Sequence, residues 1–142
     1  MIKIDEIPFK LDPLLERDSI FVGELPLCKL LLMNDSNFPW FLLIPRKEGI
    51  VEVFDLNKED RLQLQKESDY LLSNLKQHFK ATKMNVANLG NIVPQLHVHH
   101  IARYEGDLAW PGPIWGAVKP KPYTKKEIKS LITEVRALFA SF

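Results

Sequence analysis

The chain has 142 residues, 46% of them hydrophobic and 26% charged, with a formal net charge of +1. This is the make-up of one ordinary globular domain over residues 1–142. It excludes a disordered chain and provides no basic field to attract nucleic acid. The single cysteine, Cys28, permits no intrachain disulfide, and the start "MIKIDEIPFKLDP" carries acids and no long apolar run. Together with apolar runs too short for the roughly 20 residues of a membrane span, this predicts a cytoplasmic protein with no membrane or nucleic-acid partner.

In chain order, the acid- and proline-rich stretch to about Asp18 reads as an irregular or partly helical arm. "SIFVGELP" and "LCKLLLMND" are β-like runs, the second closing on the turn formers Asn34, Asp35, Ser36 and Asn37. "FPWFLLIPR" is a third, stopped by Pro45. Three apolar runs punctuated by turns suggest an antiparallel meander. From Asn57 the period changes: Leu64, Leu71, Leu75 and Phe79 share one stripe, with Leu72 beside it, which predicts a long helix. Asn57 suits its N-cap, and Glu59 and Asp60 suit the positive end of its dipole. "KMNVANLG" and "VPQLHVHHIAR" read as two further strands. A second helix runs over about 124–140. Thr124 and Glu127 form its capping box, and Ile128, Leu131, Ile132, Val135, Leu138 and Phe139 form its buried face. The expected class is α+β, with an antiparallel sheet of about five strands, one long central helix and a C-terminal helix.

Three of the four histidines fall in "QLHVHHI", residues 95–101. On a strand, residues two apart share a face, so Gln95, His97 and His99 are expected on one side and Leu96, Val98 and His100 on the other. Three readings compete. The residues are ordinary surface polar groups; or His97 and His99 are two zinc ligands lacking a third; or one imidazole attacks phosphorus while its neighbours stabilise the charge that builds on the phosphate oxygens. The last needs no metal. Elsewhere, Arg103 can meet a polyphosphate tail or pair with Glu105 or Asp107. Trp110 and Trp115, in the rigid "WPGPIWG", can stack on a base or plug the core or an interface.

Several of these stretches resemble the histidine-triad (HIT) family of nucleotide hydrolases and transferases. "GNIVPQLHVHH" looks like its Gly-Gln-x-x-x-His-x-His-x-His approach. "LLLMND" followed by "FLLIPRK" looks like its apolar strand ending in an acid and then its strand ending in Ile-Pro and a basic pair. The resemblance covers about Phe21 to Gly116. "HHIAR" with "GDLAWPGPIWG" is similar to a proteobacterial branch labelled diadenosine tetraphosphate hydrolase. The resemblance implies that His97 is the nucleophile, that His99 contacts the phosphate, and that Gln95 takes the place of the first histidine as a hydrogen-bond donor. It further implies that Asn91 lies near the phosphate and that Asp35 bonds the ribose hydroxyls, against its other reading as a turn former. Trp40 and Glu48 stand where many members have further histidines. The implied substrate is a nucleotide cleaved at its α-phosphate, with no cofactor required, a divalent ion serving at most as the substrate's counter-ion, and a homodimer as the assembly. The competing function is a nucleotide-binding module with weak or no turnover, kept open by Gln95; a zinc-dependent hydrolase ranks third.

Overall fold

The computed structural model describes residues 2–142. A short helix α1 (Pro13–Asp18) leads into β1 (Ser19–Glu24), β2 (Cys28–Met33) and β3 (Trp40–Pro45). A single 3-10 turn at Val53–Asp55 precedes the long helix α2 (Lys58–Phe79), then β4 (Lys83–Ala87), β5 (Val98–Arg103) and α3 (Lys125–Leu138). The strands form one antiparallel sheet in the order β1-β2-β3-β5-β4, so β5, late in the chain, sits between β3 and β4. The α+β architecture and both long helices agree with the sequence reading.

The two faces of the sheet have different partners. Leu30, Leu32, Phe41, Leu43 and Val98 pack with Leu64, Leu71 and Leu75 of α2 and with Val135 and Phe139 of the C-terminal segment. This is the main core, and it is where the 3.6-residue apolar period of α2 is spent. Two polar residues lie on the same buried stripe. Glu67 accepts from the backbone N–H groups of Leu27 and Cys28 at 2.8 and 2.9 Å, closing the open start of β2. Ser68 lies 2.7 Å from His100 Nε2. Because His100 Nδ1 faces the Val98 carbonyl at 2.9 Å, it carries the proton, and Ser68 donates to Nε2. His100, fully buried, is thus a satisfied core residue on the helix side.

The opposite face carries Leu31, Leu42 and Ile44, covered by Leu15 of α1 and by Phe9 and Leu11 of the N-terminal arm. Farther along, Ile101 is covered by Phe38 and Ile114. The arm and the loop after β5 therefore flank this face, with a gap between them. Both helix starts are capped as the sequence suggests: Asn57 accepts from Asp60 N–H, and Thr124 and Glu127 bond reciprocally. The β5 strand departs from expectation. Pairing begins at Val98, not near Val93, because Pro94 has no N–H to give to a ladder and the preceding segment runs as an irregular loop. Gln95 and His97 precede the strand.

Candidate active site

Between the arm and the loop after β5 is a cavity of about 350 Å³, lined by His97, His99 and Asn91 together with Leu15, Leu42 and Trp115. Its volume suits a small ligand. The walls are largely apolar.

Hydrogen bonding fixes the state of each ring. His97 Nδ1 lies 2.6 Å from the Gln95 carbonyl. A carbonyl only accepts, so Nδ1 carries the proton and Nε2 keeps its lone pair. No described residue bonds that Nε2. His99 has the opposite tautomer. The Trp40 indole N–H is a donor only, and it points at His99 Nδ1 from 3.0 Å. Nε2 of His99 therefore holds the proton and donates to the Leu89 carbonyl at 2.8 Å. Burial pushes the His99 pKa down to about 4, with the neighbouring His97 adding to the fall and the Leu89 carbonyl opposing it. At neutral pH His99 is uncharged. The two rings meet edge to face with centroids 5.0 Å apart, and Trp115 meets His99 in the same way at 5.0 Å.

The sheet places these groups. Leu42 pairs directly with His99, which sets Trp40, two residues earlier on β3, diagonally beside the ring. Gly90 brings the loop before β5 onto His97: a Cβ at this position would stand 2.9 Å from His97 Cε1 and 2.8 Å from the Val93 carbonyl oxygen. Only glycine permits that approach without a shift of backbone or ring.

The sequence-derived candidates separate into two groups. His97, His99, Asn91 and Trp115 converge on the cavity. Asp35 lies next to it, on an adjoining cavity of about 430 Å³ that shares Met33 and Trp40. Its carboxylate accepts from Asn37 N–H at 3.0 Å and Lys121 N–H at 3.2 Å, so it closes a turn and clamps the segment leading to α3. Gln95, expected to donate to a phosphate, has its amide turned to the arm: Oε1 accepts from Asp12 N–H at 2.9 Å and Nε2 donates to the Lys10 carbonyl at 3.1 Å. Arg103, read as meeting a polyphosphate tail or pairing with Glu105 or Asp107, takes the second role: it is buried, gripped by both Asp107 oxygens at 2.8 and 3.0 Å and by Asn85 at 2.8 Å. The Asp107 carboxyl is held far below the usual carboxylate range, chiefly by its Arg103 hydrogen bonds. Trp110 packs over the Arg103 guanidinium at 5.7 Å, not over the cavity. Both residues belong to the fold of the loop after β5. Trp40, Gly90 and the Leu89 carbonyl belong to the site but were not singled out for these roles. The glycine after "NVANL" was legible as a strand stop, whereas its contact with His97 depends on loop geometry.

Among the described residues no three His, Cys, Asp or Glu side chains gather in a metal-binding group. Of the four ring nitrogens on His97 and His99, three have a partner, and His97 Nε2 has none among the described residues, so the pair is not arranged here as a two-imidazole grip.

A five-stranded antiparallel sheet with a histidine-bearing central strand and an adjoining cavity defines the class. The model of the HIT domain family matches residues 15–106, and the chain belongs to that family. A histidine triad protein from Marinobacter aquaeolei is 47% identical, over 92% of this chain and 95% of that one, with a TM-score of 0.90. A second, from Sinorhizobium meliloti, is 45% identical over 91% and 96%, at 0.89. A third, from Bradyrhizobium japonicum, is 43% identical over 91% and 96%, also at 0.89. No curated protein matches the chain.

Proposed function

We propose that the protein is a nucleotide hydrolase or transferase acting at an α-phosphate through His97, with a dinucleoside polyphosphate such as diadenosine tetraphosphate as the favoured substrate. One observation carries the reading: His97 lines the cavity with its Nδ1–H held by the Gln95 carbonyl, which leaves an Nε2 lone pair without a partner among the described residues. The lone pair attacks the α-phosphorus. A P–N bond forms as the P–O bond to the leaving phosphate breaks, and that electron pair departs with oxygen. The imidazole, now substituted at Nε2 and protonated at Nδ1, is positive, and the Gln95 carbonyl stabilises it. Water then attacks phosphorus, the P–N pair returns to Nε2, and the water's proton passes to solvent, releasing a nucleoside monophosphate. The leaving group departs as an anion and needs no general acid. Asn91, on the cavity wall, is positioned to donate to a non-bridging oxygen. His99 can do the same once its Nε2–H leaves the Leu89 carbonyl. Trp115 and the apolar wall suit a base, and Asp35 borders the space next to it. No metal acts on the nucleophile in this scheme; a divalent ion accompanies the substrate's phosphates only as counter-ion.

The test is nucleotide release from diadenosine tetraphosphate by metal-stripped protein beside His97→Ala. Turnover that disappears in the variant supports the reading. Equal turnover in the two sinks it. A second reading, a nucleotide-binding module, is favoured by the commitment of the Gln95 amide to the arm, which turns that side chain from the phosphate contact expected of it. It requires nucleotide binding without release in both proteins.

The sheet also supports a homodimer as the assembly. The outer edge of β4 has no strand neighbour among the described residues, and Val86 is 52% exposed there. A second copy adding its own β4 would satisfy those backbone groups. The whole is proposed as a single domain working in the cytoplasm.

A further inference from the structure

Gln95 is not among the residues that line the cavity beside His97, and its side chain bonds the N-terminal arm. Its amide offers an acceptor oxygen and a donor NH2 group, and each meets a partner on the arm: Asp12 N–H on Oε1 and the Lys10 carbonyl on Nε2. A carboxylate cannot make the second bond, and an aliphatic side chain makes neither. Asp12 is also the N-cap of α1, accepting from Leu14 N–H at 2.8 Å. Helix α1 carries one buried residue, Leu15, which packs with Leu42 and Val93 and lines the same cavity as His97 and His99. The chain of contacts runs from Gln95 to the arm, from the arm to α1, and from α1 to the cavity.

We infer that Gln95 is a positioning residue that latches the N-terminal arm, so that Leu15 closes the wall on which the nucleoside part of the substrate rests. The inference builds on the nucleotide reading above. Gln95 then sets substrate affinity, not the chemical step, and the backbone carbonyl of the same residue independently holds the His97 tautomer. One residue thus serves the nucleophile through its main chain and the binding wall through its side chain.

The latch is testable without turnover. Lys10 is exposed, and the bond after it is a trypsin site whose carbonyl is the one Gln95 holds. In Gln95→Ala and in the near-isosteric Gln95→Glu, cleavage after Lys10, followed by mass spectrometry, is expected to quicken about five-fold or more while the melting temperature stays within a few degrees. With diadenosine tetraphosphate, kcat/KM is expected to fall about ten-fold in both variants, carried by KM. Cleavage equal to that of the parent protein overturns the latch. A fall in kcat at constant KM also overturns it, because the amide would then act on the reacting phosphate. If the parent protein shows no turnover, the nucleotide reading fails by itself, and the cleavage rates still decide the latch.

Discussion

At the scale of single residues, the site is defined by two neighbouring imidazoles in opposite tautomers. His97 is protonated on Nδ1 by its carbonyl partner and His99 on Nε2 by the combined demands of Trp40 and Leu89. Nitrogen-15 correlation spectra at neutral pH should show both forms. Replacing Trp40 by Phe removes the only donor to His99 Nδ1. The His99 tautomer should then become mixed, at a cost of about 1 kcal/mol in stability. His97→Ala should lower turnover by at least about a thousand-fold, the scale seen when a covalent nucleophile is removed. Acid should act through the other two rings. His99 and His100 are both pushed down to about 4, mainly by burial, whereas an unfolded histidine titrates near ~6.5. Between those values the unfolded chain binds more protons than the folded one. Stability is therefore fully present above about pH 6.5 and is lost as pH falls toward 4, by on the order of 3 kcal/mol for each ring. Urea unfolding at pH 7 and pH 4.5 measures this. Equal stability at the two values would remove burial of neutral histidines from the account.

At the scale of elements, β5 and the loop before it act together. A methyl group at position 90 has no room beside His97 and the Val93 carbonyl. Gly90→Ala should therefore displace the loop and lower kcat about ten-fold or more, with the far-ultraviolet circular dichroism unchanged. In α2, Glu67→Ala should cost roughly 2–4 kcal/mol in urea unfolding, because two buried backbone N–H groups at the start of β2 lose their acceptor. These two residues also mark what could be read from the sequence. The elements themselves were legible, since Leu64, Leu71 and Leu75 carry a helical period and Asn57 and Thr124 carry cap chemistry. His97 and His99 stood out by their spacing, and the motif around them carried the family resemblance. The pairing of Arg103 with Asp107, four residues on, was one of its two readings in the sequence. The roles of Glu67 and Gln95 were not legible. Each is a polar side chain whose backbone partners lie 39 to 85 positions away, and a period in one segment says nothing about which distant backbone group it will meet. The expected alternation of Gln95, His97 and His99 on one strand likewise failed for its first two members, which precede β5, and the Gln95 side chain turns to the arm.

At the scale of the whole molecule, the proposed assembly would use the outer edge of β4, which has no strand neighbour among the described residues. A homodimer predicts twice the 16.4 kDa of one chain in light scattering, and Val86→Glu, which puts a charge on that edge, should shift the mass toward the monomer. Monomeric parent protein at micromolar concentration would refute the proposed pairing.

The strand that bears His99 is also the one on which the sheet closes. Until residues 98–103 leave the ribosome, β3 has a bare edge and β4 has no strand to join, although α2 and the first three strands are already made. A nascent chain therefore holds its β1-β2-β3 meander and its long helix while waiting for one late segment to be inserted between elements synthesised earlier. Non-local pairing of this kind is slow to form and leaves open edges exposed meanwhile. The histidine-bearing strand thus sets the interval during synthesis in which the edges of β3 and β4 wait unpaired.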